Sequence, residues 1–143
     1  MKLIAAVAVF AFNASQVLAC VPGHNLGHGG SNPTIQSVLG GNYACVGTRP
    51  SLQNNELHTG SSTATSGQVL DYKQGPSDPN DPSDTPAHPT GTYSISGEVI
   101  TYTYGSQSYS YNIDETPSGN VYTFCRVTPS GADLLVTVQA THC

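Results

Sequence analysis

Glu56 and His58, in the stretch ELH, stand two residues apart. On an extended strand alternate side chains share a face, so this spacing sets a carboxylate beside an imidazole. Such a pair can pass a proton as acid and base, or supply two ligands to a metal ion. Asp71, in DYKQG, is a further carboxylate that could join them. His24 and His28, in HNLGHGG, are four apart. On a helix that spacing aligns two imidazoles for zinc, but glycine surrounds both here and a loop imposes no such alignment. Asp78, Asp81 and Asp84 recur every three residues and suggest oxygen ligands for calcium. Pro82 and Ser83 stand where an EF-hand loop needs a ligand and a glycine, and Asp-Pro pairs ordinarily form turns. The sharp readings are therefore a hydrolase or metal-dependent enzyme using Glu56 and His58, and metal ligands among His24, His28, Glu56 and His58. The plainer reading is a set of polar side chains at the surface and in turns. No nucleophile elbow, His-Glu-x-x-His, P-loop or dinucleotide fingerprint occurs, so no cofactor and no catalytic residues are assigned.

The second group is aromatic. EVITYTYGSQSYSYNI, residues 98–113, carries four tyrosines at alternate positions around a Gly-Ser-Gln turn. Split by strand parity, Tyr93 travels with Ile95, Tyr102 and Tyr104 with Ile100, and Tyr109 and Tyr111 with Ile113, while serine and threonine take the other face. The stretch 121–127 is ambiguous: Tyr122 and Phe124 share a face with Arg126, and Val121, Cys125 and Val127 share the opposite one. Beyond the first 19 residues there is no Trp or Met and a single Phe, so tyrosine must supply most of the aromatic core. The expectation is that the tyrosines face inward. Buried phenols need hydrogen-bond partners, so six inward hydroxyls imply a partly polar core or a barrel mouth with room for a guest. Tyr93, Tyr102, Tyr104, Tyr109, Tyr111 and Tyr122 are the candidate ligand-binding residues. An outward aromatic surface stacking on sugar rings is the competing arrangement.

Elements able to position these groups are strands. Runs at 42–48, 56–58, 67–73, 92–96, 99–104, 108–113, 121–127 and 134–142 have strand character, and the last five are joined by short Gly-, Asn- and Pro-containing turns. NPTIQSVLGG suits one short helix of two turns, with Asn32 as N-cap, Pro33 at the first position and Gly40 past the end. Residues 74–91 hold five prolines and three aspartates and read as a long irregular loop that tends toward function or disorder. The fold expected is all-β: a small antiparallel barrel or sandwich of six to eight strands, ending in a five-strand meander, with one short helix near the N-terminus and disulfide stabilisation. The architecture is similar to small up-and-down barrels such as lipocalins and avidins; their signature motifs are missing, and no residue is carried over.

Residues 1–19 combine Lys2, an apolar run from Leu3 to Phe12 and a Val17-x-Ala19 end, the pattern of a secretory signal peptide. Its removal would leave one domain, residues 20–143, of 124 residues, and loss of Lys2 would take the net charge from −5 to −6. Arg49, Lys73 and Arg126 are then the only strong bases, too few and too scattered to hold a nucleic acid backbone. No segment is long and apolar enough for a transmembrane helix. Four cysteines in an exported chain suggest two disulfides, with three possible connectivities. The favoured pairs are Cys45–Cys125 and Cys20–Cys143, the first closing a loop of about 80 residues with roughly 4 kcal/mol of chain-entropy stabilisation. VLAC also resembles a bacterial lipobox, which would lipidate Cys20 and anchor the chain.

Function expected on these grounds is a non-catalytic exported protein, secreted or at the cell surface, acting by binding or attachment to extracellular matrix or polysaccharide. A carrier of a small apolar ligand in a tyrosine-lined barrel, an enzyme inhibitor presenting residues 74–91, and the hydrolase or metal-dependent enzyme stand as alternatives.

Overall fold

A computed structural model describes residues 20–31, 33–47, 52, 54–71 and 89–143. The signal pattern at 1–19, the N-cap at Asn32, the aspartates at 78, 81 and 84 and most of the loop at 74–91 lie outside the described residues. Eight antiparallel strands run in chain order: β1 (Tyr43–Val46), β2 (Asn54–His58), β3 (Ser66–Asp71), β4 (Pro89–Ser96), β5 (Val99–Tyr104), β6 (Gln107–Glu115), β7 (Val121–Thr128) and β8 (Leu134–Gln139). Each pairs with the next, and β8 pairs back onto β1, closing a barrel. Closure gives every strand two neighbours, so no row of backbone donors and acceptors is left at an edge. The β4–β5 and β5–β6 hairpins each turn through two residues, with Gly97 and Gly105 first at φ 60°, a conformation reserved for glycine in II′-type loops.

Strand parity sorts the side chains as expected. Tyr93, Ile100, Tyr102, Tyr111, Ile113, Tyr122, Phe124, Val136 and Val138 are buried in one continuous core, with Ile95, Tyr104, Tyr109 and Leu134 half-buried against it. On the outer face, Thr101 bonds Ser110 at 2.8 Å and Thr103 bonds Ser108 at 3.0 Å, hydroxyl rungs between β5 and β6. The ambiguous strand resolves with Tyr122, Phe124 and Arg126 inward.

The helix is shorter than the sequence predicts. Helix α1 (Ile35–Leu39) has five residues and begins one residue after Thr34, whose hydroxyl accepts from the Ser37 amide at 3.3 Å while Ser37 Oγ accepts from the Thr34 amide at 2.9 Å. This reciprocal cap satisfies amides that a longer helix would have used internally. Ile35, Val38 and Leu39 do share one face; with Leu26 they cover the barrel end at which β1 begins. A 3-10 turn at His28–Gly30 interrupts the segment expected to be loop.

Disulfide connectivity corrects the expectation. Cys20 is bonded to Cys125 and Cys45 to Cys143, in place of Cys45–Cys125 and Cys20–Cys143. The reason is topological. Cys45 on β1 and Cys125 on β7 flank β8 on opposite sides. Two strand spacings separate them by about 9–10 Å, beyond the roughly 7 Å that a disulfide spans between Cα atoms. Each instead bonds a cysteine from a segment laid on the barrel's outer face, Cys20 of the lead segment or Cys143 of the tail. The lead segment crosses β6 and β7, with the Val21 amide donating to Asp114 at 2.8 Å and the Leu26 amide to the Ile113 carbonyl at 2.8 Å. The tail returns over β1 and β2, where His142 stacks on Tyr43 at 5.0 Å and the Cys143 amide donates to Asn55 at 3.2 Å. With its sulfur in a disulfide, Cys20 has no thiol to carry a lipid.

Candidate functional site

At the end opposite α1 the barrel is hollow. A cavity of about 510 Å³ opens there, with mostly apolar walls. Tyr102 and Tyr104 of β5 and Tyr109 and Tyr111 of β6 form one side, and Phe124, Leu134 and Val136 continue the wall across β7 and β8. The rings are in mutual contact: Tyr102 stacks near-parallel to Tyr104 at 6.2 Å and meets Tyr111 edge-on at 6.0 Å. Gly91, at an inward position of β4, makes room for them. A Cβ there would lie 2.7 Å from a ring carbon of Tyr104, closer than packed atoms approach.

Among the described residues, three charged side chains face the cavity from inward strand positions. Glu56 and Asp71 are directly opposed across β2 and β3, and both are buried. Tyr104 donates its hydroxyl toward both Glu56 oxygens at 3.1 Å, and the Asn54 amide donates to Oε1 at 3.1 Å. Across the barrel Arg126 is paired with Tyr111 in the β6–β7 ladder, where the register shifts by one between Ser110 and Tyr111. Its guanidinium lies 4.6 Å from the Tyr111 ring centre and 4.9 Å from that of Tyr109. Irregular register beside a site re-aims side chains.

Hydroxyl partners divide by depth. Tyr102 meets His58 Nε2 at 2.7 Å in the floor, Tyr104 meets Glu56, and Tyr109 donates to Gln107 Oε1 at 2.6 Å near the rim. Tyr93 donates to the Thr59 carbonyl away from the cavity. Burial pushes the Tyr104 phenol far above its ordinary value, helped by the neighbouring Glu56 carboxylate, so it stays a proton donor. For Tyr111 burial raises the pKa and Arg126 opposes that rise. His58 is fully enclosed; desolvation lowers its pKa to about 4, with backbone bonding at Asn42 and Glu56 offsetting part of the drop.

The sequence-derived candidates thus separate. Tyr102, Tyr104, Tyr109 and Tyr111 come together around the cavity, while Tyr93 and Tyr122 are buried outside its lining. Glu56 and His58 do share the inward face, yet only Glu56 reaches the cavity, because Tyr102 lies over His58. His24 is exposed on the lead segment. His28 binds Glu98 at 2.8 Å, and Asn25 donates to the same carboxylate at 3.0 Å, tying that segment to the β4–β5 turn. These bonds, that of Asn25 foremost, hold Glu98 below its ordinary pKa. No trio of potential metal ligands among the described residues includes His24, His28, Glu56 or His58. Among the described residues, the one trio of potential metal ligands within mutual reach is Cys20, Asp114 and Cys125, and its two sulfurs form a disulfide. Sequence reasoning did not single out Arg126 as a site residue, although its shared parity with Tyr122 and Phe124 was the available signal; it mentioned Asp71 only as a possible neighbour.

Tyr104 and Asn54 both donate to Glu56, which serves as an acceptor that holds the Tyr104 ring in place. The cavity therefore offers ring faces, an aliphatic wall, a buried acceptor pair and one cation. No protein-family model matches the chain, and no curated protein and no solved structure is similar to it.

Proposed function

We propose that this chain is an exported binding protein that carries a small organic molecule inside its barrel. The carrying observation is the cavity of about 510 Å³ lined by Tyr102, Tyr104, Tyr109 and Tyr111, within the range of roughly 300–1,000 Å³ that encloses small ligands. Two disulfides, Cys20–Cys125 and Cys45–Cys143, suit an oxidising compartment. The tyrosines of β4 to β7, which on the outside would have favoured attachment to polysaccharide, pack against the barrel core. The large apolar side chains that are exposed among the described residues are Val21, Val127 and Leu135, which lends an adhesive face little support.

Binding without turnover is the reading favoured by the floor. His58 is sealed beneath Tyr102, and the Glu56 carboxylate already accepts from Tyr104 and Asn54, so the acid–base pair suggested by Glu56-x-His58 cannot meet one substrate.

The neutral fluorophore N-phenyl-1-naphthylamine tests the proposal. Its emission should rise in the presence of the protein, and a Val46→Trp variant, which fills the rim of the cavity, should abolish that rise while keeping the far-ultraviolet circular dichroism of the wild type. No rise with wild-type protein, or an equal rise with Val46→Trp, would count against a ligand inside the barrel.

A further inference from the structure

Arg126 is the only lysine or arginine among the described residues, and it occupies an inward strand position. Parity assigns such positions to apolar side chains, and Phe124 and Tyr122, two and four residues before it, obey. A guanidinium inside a barrel loses water contacts that only an anion or a set of acceptors replaces. The faces of Tyr109 and Tyr111 attract the cation and the Tyr111 hydroxyl shares a hydrogen bond with it, but neither contact reaches Nε. Arg126 Nε is buried without an acceptor, and no carboxylate among the described residues forms a salt bridge with the guanidinium. Asp133, the nearest acid in the adjoining loop, accepts instead from the Arg126 backbone amide at 2.9 Å. The opposing carboxylate of Glu56 is bonded to Tyr104 and Asn54 on the far wall. Asp71, the other carboxylate of the lining, also has a partner already, so the cation of the described lining stands at one point, framed by flat rings, with Nε still open to an acceptor.

Resting on the proposal of a ligand-carrying barrel, we infer that the ligand is an organic anion. An aromatic or similarly flat apolar body lies between the tyrosine rings and the wall of Phe124, Leu134 and Val136, and its carboxylate docks on Arg126. The fork of the guanidinium gives a carboxylate two parallel donors, and Nε–H becomes one of them. The anion thus completes the hydrogen bonding of a side chain that the protein alone leaves incomplete. A cation would be repelled by Arg126 and would find Glu56 and Asp71, the carboxylates of the far wall, already partnered.

Three isosteric probes read this directly: 2-naphthoate, 2-naphthamide and 2-naphthylmethylammonium, titrated calorimetrically into the full disulfide-bonded chain at neutral pH. The carboxylate should bind at least about tenfold tighter than the amide, and the ammonium more weakly than either. Arg126→Gln should remove the preference for carboxylate over amide, and Arg126→Lys should keep part of it through charge alone. Equal affinity of carboxylate and amide in wild type, or tightest binding of the ammonium, overturns the anion assignment while leaving the ligand-carrying barrel intact. If N-phenyl-1-naphthylamine binds but none of the three probes does, the anion assignment falls alone. If that fluorophore also fails, the barrel reading falls with it. Should Arg126→Gln not fold, the wild-type series decides the matter without it.

Discussion

Replacing His58 by glutamine would expose how strongly the sealed floor depends on pH. His58 is neutral in the folded barrel because burial lowers its pKa from 6.5 to about 4. In the unfolded chain the same imidazole titrates at its ordinary value. Between these two values the unfolded state binds the extra proton, so stability falls as pH falls. The contribution is fully present above about pH 6.5 and is lost progressively as pH drops to about 4. With one pKa unit worth 1.36 kcal/mol, roughly 1 kcal/mol is gone at pH 5.5 and about 3 kcal/mol at pH 4. Glutamine keeps a group able to bond the Tyr102 hydroxyl, which meets His58 at 2.7 Å, and it does not titrate. Urea unfolding of both proteins, disulfides intact, across pH 4 to 7.5 supplies the comparison. Carboxylates titrate alike in the two proteins and cancel in the difference. His58→Gln should be less stable at neutral pH, having lost packing, and the gap should narrow by about 3 kcal/mol as pH approaches 4. Parallel stability–pH curves for the two proteins would refute a buried neutral His58.

Tyr104→Phe removes the hydroxyl that bonds both oxygens of Glu56; leaving that buried carboxylate short of a donor should cost about 1–3 kcal/mol in urea unfolding, and Glu56→Gln should recover part of the loss in the double mutant. Gly91→Ala places a methyl against the Tyr104 ring and the Thr103 carbonyl, so it should lower both the melting temperature and naphthylamine binding, whereas Gly97→Ala, in the open β4–β5 turn, should lower only the former. Peptide mapping without reduction should recover Cys20–Cys125 and Cys45–Cys143; opening the second bridge with Cys45→Ser and Cys143→Ser should cost up to about 4–5 kcal/mol on the chain-entropy estimate for its 98-residue separation. Asp114→Ala removes the acceptor of the Val21 amide under the lead segment and should destabilise by about 1–3 kcal/mol, read by the same unfolding assay.

Local periodicity carried much of the architecture into the sequence. Alternation of Ile95, Ile100 and Ile113 with Ser and Thr is enough to assign the inner face, because parity is a property of the backbone alone. Glycine placement likewise announced the hairpins at Gly97 and Gly105, since a tight turn between twisted strands needs positive φ. For the same reason Tyr102, Tyr104, Tyr109 and Tyr111 could be recognised as inward before any fold was known.

Closure of the sheet decided the rest. Which strand lies beside which is a non-local fact: only the β1–β8 pairing shows that β8 separates Cys45 from Cys125 and sends them to Cys143 and Cys20 instead. Depth along the barrel is equally invisible to parity. Glu56 and His58 have the same facing, yet one reaches the cavity and the other is sealed, because α1 covers His58's end while the cavity lies toward the other. Arg126 shares the register of Tyr122 and Phe124 in sequence, and only the shifted pairing with Tyr111 brings its charge over two tyrosine rings. Sequence alone determined which faces point inward, through the two-residue period of a strand. Tertiary structure decided where each inward side chain ends, because that depends on how eight strands close around a space that they do not completely fill.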